Sequence, residues 1–561
     1  MGGTALPKTD AFKASPVNFC AVGHAVFQNS ASQVQTWEPM RWESYIVICA
    51  GCRTAYGPTS RASRERPAIF VRVKLSVSCT KLVIDMESGN DLLKTALEAA
   101  YSISRCYVDN LDRTPVGATA SLEQLRRQLA KPLGDEGLPP GQVIAELSND
   151  VEGGLHTCAG GRFFGWVRGG AVPASLGADW LTSVWDQNAA LYSVGPSAAV
   201  VEEVAGAWLK ELLGLPASAS FAFVTGTQMA HLTCLAAARH ELLARRGWDV
   251  EQLGLFGAPR IRILASNQRH GTVERAVRLL GLGRDHITDL STDSTGQVIP
   301  EALESELRFD PSGPALIILQ AGDINTGAFD RFTDLIPIAR RFDAWVHIDG
   351  AFGLWAGASP RFRHLMNGAD SADSWVTDGH KWLNVPFDSG YAFVAAAGAH
   401  RASLSLRAAY LTHSSDARDE MEWNPEWSRR ARGFATYAAL RELGRCGVAN
   451  LVERCCGHAY ALVTRIGSQP GAELLCEPII NQGLVRFLDP HTGASESDHD
   501  RYTDRVIAAI AATGEAFFTG TAWHGKRAMR VSVCNWQTSD QDVERVLRAV
   551  SAVLTQLNMK D

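Results

Sequence analysis

Residues 344–352 read Ala-Trp-Val-His-Ile-Asp-Gly-Ala-Phe. The first five residues are a mostly apolar run, and the carboxylate of Asp349 follows them. The run has the length and composition of a buried β-strand, and Asp349 follows it directly. In open α/β sheets, ligands bind at the carboxyl ends of the strands. Asp349 is therefore a candidate for a ligand crevice, although an Asp at the end of a strand also caps the following turn in many proteins.

The chain around Asp349 alternates between short strand-like runs and amphipathic helices. The predicted strands are Phe221 to Val224, Arg260 to Ala265, Ala315 to Gln320, Ala344 to Ile348 and Gly390 to Val394. The predicted helices between them are Met229 to Arg245, Val273 to Leu280 and Phe332 to Arg341. This alternation predicts βα units and a mostly parallel sheet that is buried on both faces.

A second segment, residues 377–384, reads Thr-Asp-Gly-His-Lys-Trp-Leu-Asn and precedes the last predicted strand. Taken alone, Lys381 in this segment is an ordinary surface lysine. Together and in this order, the two segments resemble the signature of fold-type I pyridoxal 5′-phosphate (PLP) enzymes, specifically the group II amino-acid decarboxylase family. The resemblance runs from about Asn90 to the C-terminus. Further matching segments lie at residues 162–166, 186–188, 223–227, 269–272 and 325–330.

The resemblance implies an aspartate-aminotransferase-like α/β fold, with a mostly parallel seven-stranded sheet in the large domain and a smaller α+β C-terminal domain. It also implies a homodimer. The expected organisation is an N-terminal extension of unknown role, a helical dimerisation segment, the PLP-binding large domain and the small domain, at residues 1–88, 89–200, 201–400 and 401–561.

The resemblance also assigns roles around the cofactor. Lys381 forms the Schiff base with PLP and later relays protons. Asp349 faces the pyridine nitrogen and keeps it protonated, so that the ring acts as an electron sink. Ala351 leaves space beneath the ring, His270 stacks on the opposite face, and Asn325 contacts the phenolic oxygen.

The phosphate of PLP needs backbone donors at a helix N-terminus, and residues 225–228, Thr-Gly-Thr-Gln, directly precede a predicted helix. Thr227 and Gln228 are therefore predicted to bind the phosphate, and His380 resembles the family histidine that also reaches it. The sequence departs from the family here, because Ser or Thr is usual where Gln228 stands and Asn is usual where His231 stands.

Three residues are predicted to face the substrate. Arg530 resembles the family arginine that binds the substrate carboxylate, for which bidentate geometry is suited. The alternative for Arg530 is an ordinary arginine on an edge strand. Trp166 and Arg168 resemble positions that form the wall of the substrate pocket in relatives, and an arginine there favours a substrate with an acidic or polar side chain.

In decarboxylases of this family, a tyrosine on a mobile loop protonates the carbanion carbon after carbon dioxide leaves. We predict this loop at Thr412 to Trp427, a polar segment typical of a lid. Counting back from Arg429 places Glu420 at the aligned position, and no Tyr occurs from Leu411 to Trp427. Glu420 is therefore the predicted proton donor, with a different reaction outcome as the alternative.

The favoured interpretation is a PLP-dependent decarboxylase of an L-amino acid. A PLP-dependent aminotransferase or an aldehyde-forming decarboxylase stays open, and the products distinguish these reactions. A third alternative is a catalytically degenerate scaffold that binds PLP, motivated by Gln228, His231 and the missing loop tyrosine. The presence of both Lys381 and Asp349 argues against the scaffold.

Composition excludes several other classes. The 561 residues carry a net charge of -6 without a basic face, so neither nucleic acid nor an anionic membrane is an expected partner. No apolar run approaches the roughly 18 to 20 residues that cross a bilayer. We find no targeting signal and expect a cytoplasmic protein. No second cysteine pair complements Cys49 and Cys52, so no metal site is predicted.

Overall fold

The computed structural model of the protein describes residues 91–311, 313–406 and 417–559. The predicted N-terminal extension at residues 1–88 lies outside these ranges, as does the first part of the predicted loop, residues 412–416. The extension therefore stays a prediction.

The described residues form fourteen α-helices and eleven β-strands. The helices are α1 (Leu92–Asn110), α2 (Leu122–Leu129), α3 (Pro140–Asp150), α4 (Pro173–Trp185), α5 (Pro196–Leu213), α6 (Thr227–Ala244), α7 (Val250–Leu253), α8 (Gly271–Leu279), α9 (Pro300–Phe309), α10 (Phe332–Arg340), α11 (Ala397–Leu404), α12 (Gly433–Gly467), α13 (Glu496–Ala512) and α14 (Asp540–Asn558). The strands are β1 (Ser220–Val224), β2 (Arg262–Ser266), β3 (Ile287–Leu290), β4 (Ala315–Gln320), β5 (Trp345–Asp349), β6 (Ser374–Asp378), β7 (Gly390–Val394), β8 (Ala472–Leu474), β9 (Gln482–Phe487), β10 (Thr519–Trp523) and β11 (Lys526–Ser532). None of the described helices combines the length and hydropathy that a membrane span needs.

Seven strands form the larger sheet, in the order β1-β7-β6-β5-β4-β2-β3. The strands from β6 to β3 in this order run parallel to one another, whereas β7 is antiparallel to both of its neighbours. The predicted seven-stranded, mostly parallel sheet is thus confirmed. The sequence pattern did not predict β3 and β6, because both mix polar residues with few apolar ones.

The central strands are buried on both faces of this sheet. Every residue of β4 and β5 is buried. Ile317 and Leu319 of β4 pack into one apolar cluster, and Leu316 and Ile318 pack into a second. Because successive side chains of a strand point to opposite faces, the two clusters cover the two sides of the sheet. Because both faces of the sheet are covered by apolar side chains, polar residues of these strands are expected at the carboxyl edge.

A smaller sheet lies in the C-terminal part of the chain, with the antiparallel order β10-β11-β9-β8. Apolar side chains of α13 and α14 share one cluster with the strand residues Val485 and Val531. This part therefore has the expected α+β architecture. Helix α12 precedes it and is two helical segments joined at Gly444, whose φ of 59° is a left-handed conformation that favours glycine. The domain boundaries at residues 200 and 400 stay predictions.

Candidate active site

A cavity of about 370 Å³ lies at the carboxyl edge of the larger sheet. Gln320, Asp349 and Asp378, the last residues of β4, β5 and β6, all line it. This is the edge at which parallel sheets bind ligands. The residues predicted from the sequence that line the cavity are Thr227, Gln228, His270, Asp349, Ala351, His380 and Lys381.

Asp349 is a buried carboxylate held at both oxygens. Its Oδ1 accepts a hydrogen bond from the main-chain N–H of Ala351 at 3.1 Å, and His231 Nε2 lies 3.4 Å from its Oδ2. Burial opposes ionisation, but His231, together with His270 and Lys381, lowers the pKa of Asp349 well below its ordinary value. Asp349 therefore presents a stable negative charge to the cavity.

Lys381 follows β6 and brings its amine into the cavity. Its Nζ lies 3.0 Å from Asp378 Oδ2, and Asp378 Oδ1 accepts a hydrogen bond from the main-chain N–H of Thr227 at 2.6 Å. Burial raises the pKa of Asp378, but the charges of Lys381 and His380 lower it by more than burial raises it. The pKa of Asp378 is therefore below its ordinary value. Asp378 thus ties the lysine to the start of α6. Sequence reasoning missed Asp378, although it stands three residues before Lys381 in the same segment.

His270 caps the N-terminus of α8 and borders the cavity. Its Nδ1 lies 2.8 Å from the hydroxyl of Thr272. Burial lowers the pKa of His270, and the charges of Lys381 and Arg530 act in the same direction, whereas Asp349 acts against them. The imidazole is therefore neutral near pH 7, which suits a ring that stacks on an aromatic ligand.

Polar atoms without a partner gather at the start of α6. The hydroxyl of Thr227 and both side-chain amide atoms of Gln228 are buried, with no hydrogen-bond partner among the described residues. His380 Nδ1 accepts a hydrogen bond from the main-chain N–H of Ser389 at 3.1 Å, so the neutral ring carries its proton on Nε2. These groups surround the positive end of a helix, an arrangement that suits an anion.

Two further predicted residues lie outside the lining of the cavity. Asn325 Oδ1 accepts a hydrogen bond from the hydroxyl of Thr521 at 2.9 Å. Arg530 in β11 is buried, and its Nε has no partner among the described residues. Burial lowers the pKa of Arg530, while Asp323 raises it. Arg530 also lowers the pKa of His270, which places its charge near the cavity.

Neither Trp166 nor Arg168 is among the described residues that line the cavity. Trp166 is about half exposed and packs against Phe163 and Phe517. The guanidinium of Arg168 lies 4.9 Å from the ring centre of Phe387, a residue that lines the cavity. The ring of Phe387 also stacks on His380, with the two ring centres 4.2 Å apart. Phe387 was not predicted, and no sequence signal marks it.

The structure does not bring Glu420 to the cavity. Glu420 is fully buried in a 3₁₀-helix, Glu420–Glu422, and its Oε1 accepts a hydrogen bond from Arg418 Nε at 2.8 Å. The next residue, Met421, packs in an apolar cluster with Leu191, which holds this turn in the protein interior. The described part of the predicted loop, residues 417–427, is thus packed structure, and Glu420 is not among the described residues that line the cavity. Its role as proton donor stays a prediction.

The pyridoxal-dependent decarboxylase conserved domain matches residues 123–488, which is more than half of the chain. The chain belongs to the pyridoxal-dependent decarboxylase family. Its cofactor is therefore PLP, and its reaction is the decarboxylation of an amino acid, as the sequence predicts. The match includes all the residues described above that line the cavity.

Characterised relatives of this decarboxylase differ in their substrates. It is 24% identical over 460 residues to the aromatic-L-amino-acid decarboxylase of Bacillus atrophaeus, covering 81% of this chain and 93% of the relative. It is 28% identical over 364 residues to the human acidic amino acid decarboxylase, covering 64% and 69% of the two chains. Their names therefore do not decide the substrate of this decarboxylase.

Solved structures share the fold of the decarboxylase. The crystal structure of Oryza sativa TDC with PLP and tryptamine superposes with a TM-score of 0.78 at 22% identity, covering 84% of this chain and 100% of that one. The Rhodiola rosea 4-hydroxyphenylacetaldehyde synthase gives a TM-score of 0.75 at 21% identity, covering 83% and 99%. The aspartate-aminotransferase-like fold expected from the sequence is confirmed.

The residues around the cavity of the decarboxylase fit PLP. Buried polar atoms of Thr227 and Gln228 lack partners where a phosphate would lie, at the start of α6. The negative charge of Asp349 suits a protonated ring nitrogen, and the small side chain of Ala351 leaves space on the cavity wall. The amine of Lys381 opens into the same cavity, which gives the aldehyde a point of attachment.

Proposed function

We propose that this protein releases carbon dioxide from an L-amino acid in the cavity at the carboxyl edge of the larger sheet, with PLP attached to Lys381. The observation that supports this is the joint placement of Lys381 and Asp349 in one cavity at the start of α6. PLP, when bound, stabilises the electron pair that stays on the substrate when the carboxylate departs. The side chains of the protein bind and orient the substrate and the cofactor, and they move the protons that the reaction needs.

Each group of the site has a proposed task. Asp349 keeps a proton on the ring nitrogen, because its carboxylate is ionised even when buried. His270 is the neutral ring that stacks on the cofactor. Thr227, Gln228 and His380 bind the phosphate through the polar atoms that surround the start of α6.

Arg530 is the proposed binding site for the α-carboxylate of the substrate. Its guanidinium is buried in β11, and its charge acts on His270 at the cavity. It makes no ion pair among the described residues, in contrast to Arg429 and Arg486, which are paired with buried or nearby carboxylates. A buried guanidinium without an anion is suited to recruit one.

The substrate class that we propose is an amino acid with an acidic side chain. Arg168 is oriented by its contact with Phe387, which lines the cavity beside Lys381. Arg168 also makes no ion pair among the residues that the structure describes, so its charge is free to bind a carboxylate. Aromatic amino acids, which a relative decarboxylates, are the competing class.

The proposed donor of the final proton is Tyr410 in place of Glu420. The resemblance implies a tyrosine before Arg429, and Tyr410, two residues before the predicted loop, is the only Tyr in the sequence between Tyr391 and Tyr437. The hydroxyl of Tyr391 is bound to Thr436 in the core, and Tyr437 stacks on Trp208. Tyr410 itself lies outside the described residues.

A homodimer is the proposed assembly. Twenty of the 28 exposed large apolar side chains in the described part of the chain lie in residues 92–200. Helix α2 buries no residue, and α1 buries only Ala99. Soluble monomers seldom expose so large an apolar surface, so a second copy of this chain is the expected cover. A cytoplasmic location stays a prediction, to be checked by fractionation of the source cells.

The decisive experiment is a screen of the twenty amino acids for carbon dioxide release by the PLP-loaded protein, with glutamate and aspartate compared against tyrosine and tryptophan. We expect equal amounts of amine and carbon dioxide from an acidic amino acid. A keto acid or an aldehyde as the main product would support the alternative reactions. Absence of turnover on all twenty, with PLP bound, would leave the scaffold as the better description.

A further inference from the structure

A chain of polar contacts runs from Asp349 into the core of the larger sheet. His231 Nε2 lies 3.4 Å from Asp349 Oδ2, which is an ion-pair distance, and Nε2 makes no hydrogen bond among the described residues. His231 Nδ1 lies 2.9 Å from His347 Nε2, and His347 Nδ1 lies 2.8 Å from Ser374 Oγ. The indole N–H of Trp345 donates to Ser374 Oγ at 3.0 Å. The chain thus joins α6, β5 and β6 behind the cavity.

The interior members of this chain are sealed from water. His231, His347 and Ser374 have no exposed surface, and Trp345 is 1% exposed. Burial lowers the pKa of His347 well below its ordinary value, so this imidazole is neutral. A buried polar group is costly unless it is hydrogen-bonded, so each proton in the chain must find an acceptor.

One set of tautomers satisfies every contact with neutral imidazoles. Trp345 is only a donor, so Ser374 Oγ accepts from it and donates its own proton to His347 Nδ1. His347 then carries its proton on Nε2 and donates to His231 Nδ1. His231 in turn carries its proton on Nε2, which faces the carboxylate of Asp349.

The reversed direction is unfavourable. If His347 donated to Ser374, a neutral His231 would have to place its proton on Nδ1. Its Nε2 lone pair would then face the negatively charged Oδ2 of Asp349. The burial of the chain therefore selects the direction in which an N–H points at Asp349.

We propose that His231 and His347 are positioning residues that hold Asp349 in place and direct an N–H at its Oδ2, so that the carboxylate stays ionised toward the ring nitrogen of PLP. The inference rests on the proposed role of Asp349. It also gives a purpose to the departure from the family at position 231, because the imidazole of His231 has a second nitrogen through which His347 can act.

The first test uses the protein without PLP. Histidine labelled with ¹⁵N allows the tautomers of His231 and His347 to be read from long-range ¹H–¹⁵N spectra, with assignment by the variants His231→Leu and His347→Gln. We expect His347 to carry its proton on Nε2 and His231 to carry a proton on the Nε2 that faces Asp349. An unprotonated Nε2 on His231 would overturn the proposal, whatever the activity of the enzyme.

The second test reads the ring nitrogen directly. With PLP labelled with ¹⁵N at the ring, we expect the native protein to show a protonated nitrogen and His231→Leu to show a signal moved toward the neutral form. The dissociation constant of PLP should rise by about tenfold, the effect of one lost hydrogen bond to a charged group. Ser374→Ala should shift the signal in the same direction by less, because it acts two contacts away.

His400→Asn is the matched control for these variants. His400 is as fully buried as His231 and is bonded at both nitrogens, to Ser220 Oγ at 2.8 Å and to the carbonyl of Trp423 at 2.9 Å, away from Asp349. We expect it to lower stability without moving the ring signal. An equal shift in His400→Asn, or no shift in a folded His231→Leu, would show that His231 only fills space. If His231→Leu does not fold, His231→Ala and Ser374→Ala provide the same readout, since neither new side chain can donate a hydrogen bond. A failure of PLP to attach to Lys381 would instead count against the proposed function and leave the tautomer result standing.

Discussion

The cavity and the cluster around Glu420 both bury acidic and basic side chains, but they do so in opposite ways. In the cluster, Arg429 pairs with Glu202 at 2.9 Å and Arg418 with Glu420 at 2.8 Å. Other guanidinium donors bind main-chain carbonyls: Arg429 donates to the carbonyls of Ala189 and Phe223, and Arg418 donates to that of Phe221. The Arg418 guanidinium also lies over the ring of Phe221. In the cavity, the bases are Lys381, His270 and His380, and their side chains line the space in which a ligand would bind.

This difference separates structural charge from charge available for chemistry. Arginine stays protonated in proteins, so these guanidinium groups do not exchange protons with their carboxylates and instead hold elements together. Lysine and histidine beside a buried carboxylate can react or titrate. The same residue type, a buried carboxylate, therefore has different functions in the two regions according to the base that it faces and the space beside it.

The largest effect is expected from Lys381→Ala, which removes the amine to which PLP attaches. Turnover should fall to background, and borohydride reduction should no longer fix the cofactor to the protein. In the native protein, reduction followed by peptide mapping should locate the cofactor on Lys381 alone. Lys210→Ala is the control, since Lys210 binds main-chain carbonyls outside the cavity. Attachment of the cofactor to another lysine would contradict the assignment.

Asp349→Ala should keep the fold and lose turnover by about 100-fold or more, on the order of 3 kcal/mol of transition-state stabilisation. The reason is that the ring nitrogen loses the charge that holds its proton. The measurement is kcat with saturating PLP, together with circular dichroism to verify folding. Activity within about threefold of the native enzyme, less than 1 kcal/mol, would show that Asp349 does not face the ring.

Substitutions of Glu420 in the cluster and of Tyr410 should separate an effect on protein stability from an effect on the reaction products. Glu420→Gln should lower the free energy of unfolding by about 1 to 2 kcal/mol, because a charged hydrogen bond to Arg418 is lost, and leave the products unchanged. Tyr410→Phe should have the opposite pattern. We expect an unchanged free energy of unfolding and a larger share of aldehyde or keto acid relative to amine. Urea unfolding and product analysis by mass spectrometry measure the two effects. A product change in Glu420→Gln would return Glu420 to the mechanism.

Arg168→Gln tests whether the arginine that contacts Phe387 selects the substrate. We expect kcat/KM for an acidic amino acid to fall by about tenfold, mainly through KM, as for the loss of one charged contact. Rates on uncharged amino acids should change little. Arg441→Gln, an exposed substitution on α12, serves as the control. Equal losses on acidic and uncharged substrates would indicate that Arg168 supports the pocket wall without recognising charge.

The smallest effect is expected from removal of residues 1–80. The helical periodicity and the family resemblance begin near Asn90, so PLP binding and the proposed dimeric assembly should be retained. Light scattering and the visible absorption of the cofactor measure both. An insoluble or colourless truncated protein would show that the extension contributes to the core.

Much of the cavity could be predicted from the sequence because its residues are local to recognisable segments. Asp349 ends an apolar strand, Lys381 lies in a short segment before the next strand, and Thr227 begins a helix, so topology alone brings them to one edge of the sheet. Glu420 is the opposite case. Its alignment depended on counting through a polar loop, and its burial depends on Arg418 and on packing across the fold, which periodicity does not encode.

The sequence by itself determined the family, the cofactor and the strand-end residues, since these follow from motifs whose spacing sets their position on a parallel sheet. Tertiary structure alone decided which charges are paired. The pairing of Asp378 with Lys381 could have been inferred from their spacing. The line from Trp345 through Ser374, His347 and His231 to Asp349, however, joins three elements, β5, β6 and α6. Hydrogen-bond networks depend on distances of a few tenths of an ångström between elements remote in the chain, and only the packed fold sets those distances.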